Sequence, residues 1–442
     1  MVRSAPVGRI PRQENRKVKE SILAPWARSF GLGLLVLAAT SSVSAEQSTR
    51  APSTVILVSL DGTRPADLGS LPTLSELARR GFSAESMTPV FPSNTFPNHV
   101  SLVTGVQPQK HGIVNNSFRD PARGVFRKRD IPSWIEVEPL WSLLQREGVV
   151  SASYHWVGSE GPWPGGGGPL YWMPFDGKTS ELVKVEQVLD WLQVEQFCQR
   201  PRFVTMWFHG ADHPGHVHGP GSKEVDRSLR GQDKAIARLW EGLSEIGLRD
   251  TTTLVFLSDH GMAAPASSVD LATRLANAGV AASVFGIGGF ATVDLDTPSA
   301  RNRAKALSAI REGGLRGYLR EEAPPSLAVD HERFGDIVVL APSTTAIVRP
   351  GVELRGFHGY PPSDPAMSAF LVLLGPGVAA GETVPRVRSI DIAPTVLALL
   401  GVEVPGWMEG EPIPALERAY REATPPQRFA KLHGCKMGPS VP

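Results

Sequence analysis

Six residues of this 442-residue chain, Asp61, Asp212, His216, Asp259, His260 and His358, are of types that hold metal ions, and they lie in four separated segments. Carboxylate oxygens combined with neutral imidazole nitrogens suit Zn²⁺ better than Ca²⁺ or Mg²⁺, which favour all-oxygen sites. The adjacent pair Asp259-His260 can turn two ligands toward one ion, and the spacing Asp212-x-x-x-His216 fits a local loop or one helical turn. A lone histidine is more often a hydrogen-bonded structural residue; here it is the recurrence of such groups that points to a two-metal site. Phe91-Pro92-Ser93-Asn94-Thr95-Phe96-Pro97-Asn98-His99 is a candidate of another kind. Its prolines and asparagines predict a rigid turn leading into a helix over 99–105. A hydroxyl at a helix N-terminus meets positive partial charge, so Thr95 is a candidate nucleophile, the alternative being that Thr95 or Ser93 only caps the helix.

The elements that must position these groups are legible as alternating patterns. Short β-branched runs at 54–60, 203–208, 252–258 and 369–374 read as strands buried on both faces, the kind that central parallel sheets use. Between them, 71–80, 140–147, 181–196, 224–243 and 390–400 carry apolar residues at helical spacing, several ending near glycine. Strands alternating with helices predict an α/β fold with a mostly parallel sheet. Three of the strands run directly into Asp61, into His209 and then Asp212, and into Asp259-His260. Ligand sites of open α/β sheets lie outside the carboxyl ends of the strands, so these groups belong on one rim. Residues 157–175 read as a Gly/Pro/aromatic loop. Residues 262–345 read as sheet completion and a partial insertion, with strand-like pieces at 281–293 and 336–340 and a helical piece at 299–311.

Taken in order, Asp61-Gly62-Thr63-Arg64, FPSNTFPNHVSLVTG, HGIVNN, Asp212 with His216, SDHGM and Gly356-Phe357-His358-Gly359 resemble the nucleotide pyrophosphatase/phosphodiesterase family of the alkaline phosphatase superfamily. The resemblance implies a three-layer, alkaline phosphatase-like sandwich in a single catalytic domain over 46–425, followed by a tail over 426–442. It implies two Zn²⁺ per chain and hydrolysis of nucleotide diester or pyrophosphate bonds through a covalent phospho-threonine. Thr95 matches the family's nucleophile. Asp61, Asp259 and His260 match the ligands of the zinc that holds the threonine oxygen, and Asp212, His216 and His358 those of the zinc that faces water. Asn116 matches the amide that bonds a phosphate oxygen, and Phe96 the aromatic that stacks on a base. Trp156 and Tyr171 are further candidates for an aromatic wall, which could hold a nucleobase or a choline ammonium. Other diesters or phosphonates, and a catalytically silent nucleotide-binding relative, are the remaining readings. His99, His111 and His213 stand outside the matched ligand positions and read as structural.

Composition narrows the setting. Lys and Arg number 45 against 44 Asp and Glu, with 41% hydrophobic residues, which excludes a disordered chain and gives no basic field for duplex nucleic acid. Residues 1–45 hold a basic stretch, the apolar run Phe30 to Thr40 and a small-residue motif at Val43-Ser44-Ala45, the pattern of an export signal cleaved near Ala45. An uncleaved anchor is the alternative, although the apolar run is shorter than the roughly 20 residues a span requires. After cleavage 38 basic residues would face 42 acidic ones, a net charge of −4, in a secreted or periplasmic protein with no membrane span. Two cysteines, Cys198 and Cys435, are either one long-range disulfide or two thiols. The partner expected is a small phosphodiester or nucleotide, and no oligomeric state is specified.

Overall fold

The computed structural model describes residues 54–414 and Leu416. The export signal expected over 1–45, the tail over 426–442 and Cys435, with any bridge to Cys198, lie outside the described residues. The strands in chain order are β1 (Thr54–Leu60), β2 (Phe82–Thr88), the short pair β3 (Arg119–Asp120) and β4 (Gly124–Val125), β5 (Ser151–Tyr154), β6 (Tyr171–Met173), β7 (Phe203–Phe208) and β8 (Thr252–Leu257). There follow β9 (Ser267–Asp270), β10 (Ala282–Phe285), β11 (Phe290–Leu295), β12 (Arg316–Leu319), β13 (Ile337–Leu340), β14 (Thr345–Val348), β15 (Ala369–Leu374) and β16 (Thr383–Arg388).

Eight of these form the main sheet, in the order β16-β2-β15-β8-β1-β7-β5-β6. The fully buried run of β1 splits by alternate residues, Val55 and Leu57 into one core and Ile56, Val58 and Leu60 into the other. Helices cover both faces: Leu140–Arg146 and Ile392–Leu399 on the first, and Pro72–Arg80, Glu181–Leu192 and Lys223–Glu245 on the second. This is the three-layer sandwich that the resemblance implies, built on the α/β alternation read from the sequence, and burial on both faces explains why the strands are apolar throughout rather than alternating. β1, β5, β6, β7 and β8 run parallel. β15 departs from the expected parallel arrangement and pairs antiparallel with both β8 and β2. The chain leaves β8 at its carboxyl end and comes back to the same rim with His358, beside the Ala263–Phe357 bridge, so the next strand must start there and run backward. Residues 262–348 build the antiparallel sheet β10-β11-β13-β12 and the parallel pair β14-β9, with a core of their own.

Two local expectations are corrected. Helix Thr95–Thr104 begins four residues before the predicted start, with Asn94 extended as its N-cap and Gly105 closing it at φ 69°. Pro97 is accommodated because amides of the first turn have no intrahelical acceptor to lose. The 157–175 loop ends in β6, an edge strand parallel to β5.

His111 joins this helix to the next turn of chain. Its Nε2 lies 2.9 Å from Ser101 Oγ, whose hydroxyl donates to the Val106 carbonyl, so Nε2 carries the proton and Nδ1 accepts from the Ile113 amide at 3.1 Å. Burial lowers its pKa from 6.5 to about 3. With the folded pKa below the unfolded one, the stabilisation is complete above about pH 6.5 and is lost as the pH falls toward 3, by up to about 1.4 kcal/mol per pH unit. Urea denaturation of wild type and His111→Gln between pH 7 and pH 5 should show a shallower pH dependence in the variant; identical slopes would remove His111 as the cause.

Candidate active site

Asp61, Asp259 and His260 each bring one ligand atom within 4.8 Å of the other two, and Asp212, His260 and His358 do the same. β1 and β8 deliver Asp61 and Asp259-His260 from neighbouring carboxyl ends. Gly62 makes the turn after β1 at φ 66°, and its amide donates to Asp259 Oδ1 at 3.1 Å. Asp212 opens helix Asp212–His218 after β7, so the Asp212-to-His216 spacing is a helical turn, with His216 Nε2 3.4 Å from Asp212 Oδ1. His358 Nε2 lies 3.7 Å from the same oxygen, and its ring stacks on His260 at 3.9 Å between centroids.

The hydrogen bonds settle which nitrogen faces inward. Nδ1 of His216 donates to the Gly356 carbonyl at 2.7 Å, Nδ1 of His260 to the Gly261 carbonyl at 2.8 Å, and Nδ1 of His358 to Asn94 Oδ1 at 2.8 Å. Each Nε2 therefore presents a lone pair to the site, the arrangement that supporting contacts give to metal-binding histidines. Facing them, Asp61 Oδ1, Asp212 Oδ1 and Asp259 Oδ2 are buried without a hydrogen-bond donor. Three unsatisfied carboxylate oxygens against three imidazole lone pairs are a donor set for cations. Burial first, then the Asp259 and Asp212 carboxylates, pushes the Asp61 pKa well above its ordinary value. Burial also pushes on Asp259, but His260 and His99 outweigh it and hold that carboxyl below its usual range. Burial, followed by His260 and His216, drives the His358 pKa well down, so the ring is neutral.

Thr95 is the first residue of its helix, and its Oγ1 lies 3.2 Å from His260 Nε2. Asn116 accepts from the Phe96 amide at 2.8 Å, which leaves its amide nitrogen to face a cleft that it lines with His216 and His358. Asn94 Nδ2 donates to Asn115 Oδ1 at 2.8 Å, so one asparagine chain links His358 to the Asn116 loop. Gly359 has φ 90°, and a Cβ there would come within 2.7 Å of Asn94 Oδ1. His99 has its Nδ1 2.9 Å from the Thr95 carbonyl and 3.4 Å from Asp259 Oδ2, behind the cluster as the sequence implied.

The aromatic wall is not where it was expected. Trp156 is 0% exposed; its indole donates to the His99 carbonyl at 3.0 Å and packs in the core, where it supports the Thr95 helix and reaches no solvent. Tyr171 starts β6 at the edge of the sheet and stacks on Trp191 of the helical layer. Phe96 is 8% exposed, packed edge-on against Phe126. Two other aromatics reach the Asp61 side of the site, Trp207 directly and Phe175 by stacking on it. Trp207, inside the apolar run of β7, donates to Asp61 Oδ2 at 3.0 Å. Phe175 stacks on Trp207 at 4.9 Å and is 48% exposed. Neither had a signal beyond its type.

A family model described as type I phosphodiesterase/nucleotide pyrophosphatase matches residues 55–361. The chain belongs to that family. Rat ectonucleotide pyrophosphatase/phosphodiesterase family member 1 is 36% identical over 216 residues, 47% of this chain and 24% of its own length, so the match spans about a quarter of that relative. Bovine bis(5′-adenosyl)-triphosphatase is 30% identical over 373 residues, 80% of each chain. Among solved structures, murine ectonucleotide pyrophosphatase/phosphodiesterase 5 superposes with a TM-score of 0.73 at 25% identity, covering 80% of this chain and 96% of that one. An inactive Thr-to-Ala variant of the murine protein in complex with AMP aligns with the same score at 24% identity. The likeness covers the sheet on whose rim the Asp and His clusters lie.

The raised Asp61 pKa carries a consequence for cation binding. Cations and protons compete for the same carboxylate and imidazole atoms, so Zn²⁺ binding to metal-free protein should release protons and weaken as the pH falls. Calorimetry in buffers of different ionisation enthalpy checks this: Asp61→Asn should reduce the proton release, and unchanged release would place the proton on another group.

Proposed function

We propose that the protein is an exported di-zinc phosphodiesterase and nucleotide pyrophosphatase that works through a phosphorylated Thr95. The observation that carries this reading is the position of Thr95 Oγ1 at a helix N-terminus, 3.2 Å from His260 Nε2, the histidine common to both metal-ligand clusters. Asp61, Asp259 and His260 would hold one ion, and Asp212 and His358 the other, joined by His216, which stands outside both clusters but 3.4 Å from Asp212 Oδ1. Two bound Zn²⁺ would lower the pKa of a hydroxyl or water and neutralise charge on the attacking and leaving oxygens.

The chain's own groups do the positioning. The helix holds Thr95 beside the metal-ligand groups; its Oγ–P bond would form as the ester or anhydride bond breaks, the hydroxyl proton passing to solvent and the leaving oxygen taking the electron pair, and water would then cleave the phospho-threonine and return a proton to Thr95 Oγ. Asn116, held by the Phe96 amide, keeps its amide nitrogen for a non-bridging phosphate oxygen. Trp207 fixes Asp61 by a hydrogen bond. Phe175 offers an exposed aromatic face for a base, in the place expected of Tyr171 and Trp156. The nucleotide reading is supported by the family and by the AMP bound to the murine relative. Export is supported by the charge and apolar pattern of residues 1–45, while among the described residues no helix is long and apolar enough to cross a membrane.

The test is kcat/KM of the zinc-loaded protein on p-nitrophenyl thymidine 5′-monophosphate, p-nitrophenyl phosphate and p-nitrophenyl phosphorylcholine. The nucleotide diester should be preferred, with activity lost on chelation. Thr95→Ala should lower kcat on the order of 10³-fold or more, while zinc content stays that of wild type and the acid-stable phosphoprotein adduct disappears. Preference for the choline ester would overturn the substrate, and full activity in Thr95→Ala would overturn the mechanism.

A further inference from the structure

Asn116 sits in a segment that the main sheet does not hold. From Gly112 to Glu136 the chain forms a closed loop, with the Glu136 amide donating to the His111 carbonyl at 3.0 Å across its base. Its only strands are β3 and β4, two residues each and paired with each other. Without a ladder to the main sheet, the geometry of this loop must come from side chains of neighbouring parts of the fold.

Arg333 supplies those contacts. It lies in the turn Glu332–Phe334, just before β13 of the antiparallel sheet, and is 4% exposed. Its Nη1 donates to the Gly112 carbonyl at 2.9 Å and to the Trp134 carbonyl at 3.0 Å, near the two ends of the loop. In the middle its Nε donates to Asp120 Oδ2 at 2.7 Å, and its Nη2 pairs with Glu136 Oε1 at 2.8 Å. Asp120 accepts from the Ala122 and Arg123 amides on its other oxygen, both at 2.8 Å, and so fixes the turn between β3 and β4. Burial raises the Asp120 pKa, but Arg333 and those two amides outweigh it and hold the carboxyl below its usual range. The guanidinium also stands 5.6 Å from the centre of the Phe118 ring and 5.4 Å from that of Trp134, two rings that pack in one cluster with Phe96. His331 adds a second tie: its Nδ1 accepts from the Arg333 amide at 3.1 Å, so Nε2 carries the proton and donates to Glu136 Oε2 at 3.1 Å. Gly112 holds φ 76°, and a Cβ there would collide with Arg333 Nη1. One planar group thus gathers both ends and the middle of the loop, which an ammonium cannot do, because its three donors radiate from a single nitrogen.

Asn116 lies midway in the chain between Gly112 and Asp120, two of the points that Arg333 grips. We infer that Arg333, which does not line the cleft, is a positioning residue for the reaction: it sets the place of the Asn116 amide and so ties the antiparallel sheet to the active site. The inference rests on the proposed role of Asn116 toward a phosphate oxygen. A donor moved by about 1 Å loses much of its hold on charge developing in the transition state.

A double-variant cycle on the zinc-loaded full chain tests this, with p-nitrophenyl thymidine 5′-monophosphate as substrate. Asn116→Ala should lower kcat about 100-fold, and Arg333→Lys should lower it about tenfold. Adding Arg333→Lys to Asn116→Ala should cost no more than about a further twofold, because the group being positioned is already gone. In metal-free protein, amide hydrogen exchange over 112–136 should quicken in Arg333→Lys while β1, β7 and β8 keep wild-type rates. Asp120→Asn, which keeps the side chain's size and removes its charge, should give the same pattern with a smaller loss, and serves in its place if Arg333→Lys does not fold. Equal fold losses in the two backgrounds, exchange that quickens throughout the main sheet, or an unchanged kcat would overturn the inference and leave the proposed function standing. Full activity in Asn116→Ala would overturn the role proposed for that amide, and the inference with it.

Discussion

Asp61 Oδ1, Asp212 Oδ1 and Asp259 Oδ2 are buried together with no donor for any of them, and the rest of the structure is arranged around that uncompensated charge. Burying an ionised carboxylate without a partner costs several kcal/mol, and neighbouring carboxylates make it worse. The fold lessens the cost at the outer oxygens: Trp207 donates to Asp61 Oδ2 and the Gly62 amide to Asp259 Oδ1. The inner oxygens remain for a cation. The histidines follow the same logic in reverse, each spending its Nδ1 proton on a carbonyl or amide oxygen so that Nε2 stays a lone pair.

Holding such a cluster requires a frame that does not relax to escape the repulsion. The eight-stranded sheet, apolar on both faces and covered by helices, supplies it. β1 and β8 are hydrogen-bonded neighbours, so Asp61 and Asp259 are fixed relative to each other by the ladder itself. His358 arrives differently, after an excursion through a second sheet, and is bound to the main body through Ser93 and Asn94. The reversed strand β15 completes that return. Asn94 then has three duties: it caps the nucleophile's helix, accepts from His358 and donates to Asn115. The Thr95 helix, the metal-ligand candidate His358 and the Asn115-Asn116 loop are thereby tied to one residue.

Above this acidic floor the rim is cationic. Lys128 and Arg349 line the cleft from separate loops, whereas Asp61 and Asp259 stand at the ends of buried strands. Such division of labour lets one fold keep its chemistry while the loops set the substrate, because loop changes leave the strand-borne ligands in place.

The fold class, the strands at 54–60, 203–208 and 369–374 and the six Asp and His positions were readable in order along the chain. Buried strands need unbroken apolar runs, and metal ligands need a few residue types at strand ends. The start of the Thr95 helix was not readable, because Pro97 and the asparagines look like a turn until the tertiary contacts of Asn94 and Asn98 are known. Nor was the wall of the site: Trp156, Tyr171, Trp207 and Phe175 are equally aromatic in sequence, and whether each ring is core, edge or surface depends on what packs against it. The sequence by itself determined which groups could do chemistry, since that follows from side-chain type. Only the tertiary structure decided which of them meet, which nitrogen of each histidine faces inward and which cations line the cleft, because those follow from contacts between segments far apart in the chain, such as the 265 residues that separate Ser93 from His358.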